Sequence, residues 1–172
     1  MPMYSGHLTK MATTVNRDID NTIQYQLRLN DQSIDLNPLL GQTIQINYVG
    51  DIHCCHCGRK SNKSFSQGYC YPCFKKLPQC DLCIMSPEKC HYSLGTCRDE
   101  EWADQFCMQD HYVYLANSSA LKVGITRGNQ IPTRWCDQGA SQGLPIFKVR
   151  NRLLSGLVET LFKKTVADKT NW

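Results

Sequence analysis

Residues 54–74 have the sequence CCHCGRKSNKSFSQGYCYPCF, which contains two CxxC pairs separated by twelve residues. The pairs are Cys54 with Cys57 and Cys70 with Cys73, and a glycine follows the first pair. Two residues between thiolates let both sulfurs of a tight turn reach one ion at about 2.3 Å, and the glycine relieves the backbone at that turn. This spacing is typical of a zinc ribbon. Because four thiolates fill a tetrahedral shell, we predict a closed, structural zinc site.

A second set of cysteines follows the first, and we predict that four of them bind a second zinc ion: Cys80, Cys83, Cys90 and Cys97. Zinc needs only four ligands, so the other donors in this region are alternatives. Cys107 together with His111, or His91, can replace members of this set. The remaining cysteines, Cys55 and Cys136, are expected to be ordinary small hydrophobic residues.

The chain has 11 cysteines, and the compartment that the sequence indicates favours metal binding by those in CxxC pairs. No basic region followed by an apolar run begins the chain, and no stretch of about 18 apolar residues is present. These features predict a soluble, cytoplasmic protein without a membrane partner. Thiols are kept reduced in the cytoplasm, so clustered CxxC pairs indicate metal rather than disulfides.

The charge of the chain is uneven, although its formal net value of +4 is too small by itself to indicate a nucleic-acid binder. Five basic residues and no acidic one lie between positions 59 and 76. Three of them form what we call the basic loop: Arg59, Lys60 and Lys63. Four aromatic residues follow closely: Phe65, Tyr69, Tyr71 and Phe74. The two groups together predict a surface for single-stranded DNA or RNA. The alternative is a solvated loop whose aromatic rings pack around the metal.

The pattern of apolar residues divides the chain into three parts and predicts an α+β fold. Residues 1–52 form a β-rich unit, because two stretches alternate apolar and polar residues: Ile23, Tyr25, Leu27 and Leu29, then Ile44, Ile46 and Tyr48. Residues 53–111 lack hydrophobic periodicity, so metal must organise them as a zinc-binding module. Residues 112–172 are globular again.

The third part contains a predicted hairpin and a predicted helix. The hairpin joins strands at 112–116 and 121–126 through a turn at 117–119. The helix covers roughly residues 153–167 and should pack on the hairpin through an apolar stripe: Leu153, Leu154, Leu157, Val158, Leu161 and Phe162. An aromatic end soon after a helix, at Trp172, leads us to expect that the domain is truncated there.

The third part also resembles the GIY-YIG nuclease fold. The resemblance covers about residues 112–165 and depends on the order of a few elements: Tyr112-Val113-Tyr114 on one strand, Lys122-Val123-Gly124 on the next, then Arg134 and Glu159. The whole chain is in addition similar to an uncharacterised bacterial zinc-ribbon family, a domain of unknown function, through the motifs CxxCG, CYPCF, PEKCH, GTCRD, YLANSS, KVGITR and TRW.

The nuclease resemblance implies catalytic roles for three residues. Arg134 would bind the scissile phosphate, Glu159 would hold Mg²⁺, and Tyr114 would help to activate water. The chemistry is reasonable, since a bound metal acts as a Lewis acid and a guanidinium neutralises charge on phosphate oxygens. One position departs from the family pattern, because Lys122 replaces the first tyrosine of the second motif. Each residue also has a structural interpretation, such as an ion pair of Arg134 with Asp137.

Two functions follow from these observations. The first is a zinc-containing nucleic-acid-binding protein that is a metal-dependent endonuclease or phosphodiesterase, for which Arg134 and Glu159 argue. The second is a non-catalytic zinc adaptor that binds nucleic acid or protein and has a degenerate nuclease-like tail, for which Lys122 argues.

Overall fold

The computed structural model describes residues 3–16 and 22–166. Helices and two small antiparallel sheets give a mixed α and β architecture. The chain divides into two compact units, of which the first ends at Cys73 and the second begins at Phe74. This boundary falls inside the segment 53–111, so the two CxxC pairs of the first set lie in one unit and the later cysteines in the other. The division at residues 52 and 111 stays a prediction.

The first unit begins with a three-stranded antiparallel sheet in the order β1-β2-β3, formed by Leu8–Asn16, Thr22–Leu29 and Gln32–Asp35. The predicted strand at 23–29 is β2, and its alternating apolar residues are half-buried. Asn30 has a φ of 51° in the turn that follows β2, a left-handed conformation that asparagine tolerates. None of the described residues up to position 50 is fully buried, so this sheet has little core of its own.

The predicted strand at residues 44–48 is wrong. Residues 43–49 have no regular secondary structure, and Ile44, Ile46 and Tyr48 are 53%, 76% and 71% exposed. Alternation of apolar and polar residues is only half of the signal for a strand, because a strand also needs a neighbour that accepts its backbone hydrogen bonds. The sheet in the described part of this unit ends at β3, and no strand pairs with residues 44–48.

The cysteine-rich region consists of short elements joined by turns. Its helices are α1 (Tyr71–Lys76), α2 (Leu82–Met85) and α3 (Glu100–Phe106), with 3-10 turns at Pro78–Cys80, Pro87–Lys89 and Tyr92–Leu94. Asp99 caps α3 by accepting a hydrogen bond from the backbone N–H of Trp102 at 2.8 Å. Helices of four to seven residues are unstable alone, so packing or metal binding must hold them.

The second sheet of the protein has the order β5-β4-β6, from strands His111–Asn117, Leu121–Arg127 and Gln142–Val149. The predicted hairpin is confirmed, since β4 and β5 pair with Asn117 opposite Leu121. The central strand β4 carries the core of this unit, where Val113 and Tyr114 are 0% and 1% exposed. A short helix α4 (Thr133–Cys136) connects β5 to β6, after a 3-10 turn at Gly128–Gln130.

The predicted helix is α5, Arg152–Phe162, and Asn151 caps it by accepting a hydrogen bond from the N–H of Leu154 at 2.9 Å. The predicted end at residue 167, like Trp172, lies outside the described residues. The predicted packing face is partly wrong, because the buried residues are Ser155, Gly156 and Glu159. Leucines at 157 and 161 are instead exposed. Small residues allow close approach, and a Cβ at Gly156 would lie 2.5 Å from the Cβ of Pro87.

Candidate metal centre and polar cluster

The first four cysteines lie on two loops of the first unit. Cys54 and Cys57 flank a tight turn in which the N–H of Gly58 donates to the carbonyl of Cys54 at 2.9 Å, and Gly58 has a φ of 69°. That left-handed conformation favours the glycine noted in the sequence. Cys70 directly precedes α1, and Cys73 lies in its first turn. Backbone geometry therefore turns all four side chains toward one point.

The four sulfurs fit a tetrahedral zinc ion. They all lie within 4.8 Å of one another, and Cys57 Sγ is 3.7 Å from Cys70 Sγ. Zn–S bonds of about 2.3 Å place the corners of a tetrahedron about 3.8 Å apart, which agrees with the measured separation. Cys54 and Cys70 are buried, Cys73 is half-buried and Cys57 is exposed. The predicted first site is thus a four-cysteine site compatible with zinc.

Without a cation, two thiols of this site have very different pKa values. Burial of Cys54 raises its pKa, but backbone N–H groups of Cys70, Cys57 and His56 outweigh burial and lower the pKa to about 6. Burial and the neighbouring thiols raise the pKa of Cys73 to about 12. The surroundings therefore favour the thiolate form of Cys54 and disfavour the thiolate form of Cys73. A divalent cation removes this opposition, because its charge stabilises every thiolate in the shell.

The residues around this site include the basic loop and one cysteine that was not predicted to bind metal. Cys55 is exposed and does not belong to the four-sulfur group, as predicted. In the basic loop, Lys60 forms an ion pair with Asp51 at 2.5 Å, which offsets part of the positive charge. The rings of Phe65 and Tyr71 contact each other at a centroid distance of 5.4 Å. Whether the basic loop contacts nucleic acid stays a prediction.

The second predicted set of cysteines is not assembled as the spacing suggested. Donor atoms of Asp81, Cys83 and His91 lie within 4.8 Å of one another in the second unit. Three further cysteines line the same small cavity, of about 10 Å³: Cys90, Cys97 and Cys107. Cys80 is buried but does not line that cavity. Asp81 was missed in the sequence because a single aspartate between cysteines carries no distinctive spacing.

Asp81 is engaged by its neighbours. One carboxylate oxygen lies 3.0 Å from Arg98 Nε, and the other lies 3.4 Å from His91 Nε2. The second ring nitrogen of His91 is 2.9 Å from the hydroxyl of Thr96. Arg98 also donates to the carbonyls of Phe74 and Leu77, at 3.0 and 3.1 Å. This network joins the turns around the cavity.

The three residues predicted to be catalytic come from different elements of the second unit: Tyr114 from β4, Arg134 from α4 and Glu159 from α5. Burial raises the pKa of Tyr114, the charge and the hydrogen bond of Arg134 lower it, and the charge of Glu159 raises it. The tyrosine hydroxyl is therefore close enough to feel both charged groups. It donates a hydrogen bond to Gln138 Oε1 at 3.1 Å. Gln138 was not identified from the sequence.

Tyr114, Arg134, Gln138 and Glu159 form what we call the polar cluster, and two of these four residues are buried. Tyr114 and Glu159 are 1% and 8% exposed, whereas Arg134 is exposed. Glu159 forms an ion pair with Lys163 at 3.2 Å. Lys122, which departs from the nuclease pattern, is also buried, and Gly124 lies beneath Tyr114, where a Cβ would be 2.6 Å from its hydroxyl oxygen. The glycine of the second motif thus makes room for the tyrosine.

The fold and the first site define a small mixed α and β protein with a four-cysteine centre compatible with zinc. The chain belongs to the family described as "Protein of unknown function (DUF2797)", whose sequence profile matches residues 41–172. No curated protein and no solved structure matches the chain. Among the described residues, no helix has the length and apolar character needed to cross a bilayer.

Proposed function

We propose that this protein is a zinc-containing, nucleic-acid-binding phosphodiesterase whose reaction takes place at Tyr114, Arg134 and Glu159. The observation that carries the proposal is that the charges of Arg134 and Glu159, from two separate helices, both act on the buried hydroxyl of Tyr114 in β4. The resemblance of residues 112–165 to the GIY-YIG nuclease fold assigned roles to the same three residues. Buried residues with perturbed pKa values, such as Tyr114, are more common at functional sites than elsewhere.

Each residue has a role that its surroundings favour. Arg134 hydrogen-bonds to Tyr114 but is exposed, so its guanidinium can also contact phosphate oxygens. Because burial raises the pKa of Tyr114, its hydroxyl stays protonated at neutral pH and orients water rather than removing a proton from it. Gln138 holds that hydroxyl in place at 3.1 Å.

Glu159 is the residue that would hold Mg²⁺. One carboxylate is enough when substrate phosphates and water complete the octahedral shell, so the donor fits this ion. Lys163 lies on the same carboxylate at 3.2 Å and must move away when the ion binds. When bound, Mg²⁺ supplies Lewis-acid stabilisation of charge on the phosphate.

The test uses the full-length chain, Mg²⁺ and labelled single- and double-stranded DNA and RNA. Wild-type protein should cleave at least one of them, and Glu159→Gln should reduce the rate by at least about 100-fold while keeping binding. Arg134→Lys should lose nearly as much, since an ammonium cannot form the bidentate contact. Exposed residues of the same types provide controls, and Glu101→Gln and Arg150→Lys should cleave like wild type. Cleavage by Glu159→Gln at the wild-type rate would refute the enzyme proposal.

The second candidate function is the non-catalytic zinc adaptor, and the burial of the polar cluster favours it. Glu159 is 8% exposed and already paired with Lys163, and Lys122 is buried nearby in the same unit. The ammonium of Lys163 beside the carboxylate of Glu159 supplies the positive charge that a catalytic metal would otherwise bring. Binding of nucleic acid by the wild type without any cleavage would support the adaptor, and absence of both binding and cleavage would contradict the enzyme and leave the adaptor only a protein partner.

A further inference from the structure

The cavity in the second unit is lined by more metal donors than one ion needs, and among these donors Asp81, Cys83 and His91 lie within 4.8 Å of one another. Four cysteines line it, and they come from four separate places: Cys83 from α2, Cys90 after the turn Pro87–Lys89, Cys97 from the loop before α3, and Cys107 at the end of α3. We propose that these four thiolates bind a second structural zinc ion and that Cys80 does not. Cys107, at the end of α3, thus replaces Cys80, which the spacing alone suggested.

The need for such a site follows from the size of the elements. The helices α2 and α3 have 4 and 7 residues, and the turns between them have 3 residues each. Elements of this length bury too little apolar surface to fix one another. The buried residues that they do contribute are Cys83, Pro87 and Ala103. A metal ion joining four of these places supplies the missing cross-link.

The choice of thiols over the nearby oxygen and nitrogen donors rests on their existing partners. Both oxygens of Asp81 already have basic neighbours, Arg98 at 3.0 Å and His91 at 3.4 Å. His91 uses its other ring nitrogen on Thr96 at 2.9 Å. Such a network is suited to orienting the loops around a metal rather than to binding it. Zinc also favours thiolates strongly, so we assign Asp81 and His91 to the surrounding hydrogen-bond network.

Positive charge next to the cavity fits a four-thiolate centre. Four thiolates and one Zn²⁺ have a net charge of about −2. Cys107 also lines an adjoining cavity of about 200 Å³, which Arg127 and Arg152 line too. Arg152 donates its backbone N–H to the carbonyl of Cys107 at 2.9 Å, and its Nη2 donates to the carbonyl of Ile84 at 2.7 Å. Two guanidinium groups beside Cys107 can balance the negative charge of such a centre.

The first experiment needs no mutation. Metal-free full-length chain is titrated with Co²⁺ under reducing conditions, and the sulfur-to-cobalt charge-transfer absorption is followed, because its intensity scales with the number of bound thiolates. The first site contributes four thiolates in any case. Our proposal predicts about two metal ions per chain and about twice the absorption of the first site alone. A second ion that adds only a quarter of that absorption would indicate the set Asp81, Cys83 and His91, and would overturn the proposal.

The second experiment compares single substitutions by zinc content. Cys107→Ser should lose about one zinc ion per chain, whereas Cys80→Ser and Asp81→Asn should keep the wild-type content. A loss of about one zinc ion in Cys80→Ser, together with the wild-type zinc content in Cys107→Ser, would overturn the ligand assignment. Wild-type chain that binds only one zinc ion would overturn the site itself. If Cys107→Ser is insoluble, the zinc content of Cys80→Ser still decides between the two ligand sets, because a loss of one ion there would overturn the proposal.

Discussion

Gly156 is the position where one added methyl group tests the packing of α5 most directly. A Cβ at this residue would lie 2.5 Å from the Cβ of Pro87 and 2.7 Å from the backbone nitrogen of Glu88. Carbon atoms prefer separations of about 3.5–4.0 Å, so Gly156→Ala must move α5 or the Pro87–Lys89 turn by about 1 Å. Neither a proline ring nor a backbone nitrogen can rotate away.

The expected cost follows from two opposing effects. Overpacking of this kind costs about 1–3 kcal/mol, and alanine recovers up to about 1 kcal/mol through its better helix propensity. Because the obstructing atoms are rigid, we expect a net loss of about 1–2 kcal/mol. For a chain of this size that loss lowers the melting temperature by about 2–8 °C.

The assay is thermal unfolding of zinc-saturated protein followed by circular dichroism. Thr160→Ala, at an exposed position of the same helix, is the control and should change stability by no more than about 0.5 kcal/mol. A melting temperature of Gly156→Ala equal to or above that of the wild type would refute the close contact. It would also remove the explanation for the burial of small residues, rather than leucines, on α5.

Three further outcomes are expected. Cys54→Ser and Cys73→Ser should each lower the zinc content by about one ion per chain, whereas Cys55→Ser should not, and equal zinc content in all three would contradict the first site. Glutamine at every residue of the basic loop should weaken nucleic-acid binding and flatten its salt dependence without changing the zinc content, and an unchanged salt slope would exclude the loop from the interface. Burial lowers the pKa of His111, so the unfolded chain takes up a proton below about pH 6.5 that the folded protein resists. The free energy of unfolding should therefore fall with decreasing pH in that range, by up to about 1.4 kcal/mol per pH unit. Urea unfolding at several pH values should show a steeper fall in the wild type than in His111→Gln. Equal dependence of the unfolding free energy on pH in the two proteins would rule this out.

The sequence was informative wherever a local pattern determines the structure. The spacing of Cys54, Cys57, Cys70 and Cys73 predicted a four-sulfur site because the ligands are close along the chain and a tight turn fixes each pair. The hairpin of β4 and β5 was predicted within a residue for the same reason, since a strand pattern and a short turn are both local. Residues 44–48 alternate apolar and polar side chains but have no neighbouring strand to pair with, and they do not form a strand.

Only the tertiary structure decided which distant residues meet. No spacing rule brings Cys107 to the cavity of Cys83 and leaves Cys80 outside it, because the choice depends on how α2 and α3 pack. The buried face of α5 was likewise set by the Pro87–Lys89 turn, against which leucines would not fit. By itself, then, the sequence determined β2, the hairpin of β4 and β5, the presence of α5 and the first metal site. The packing of those elements determined the rest, since contacts between distant segments depend on shapes that one-dimensional periodicity does not contain.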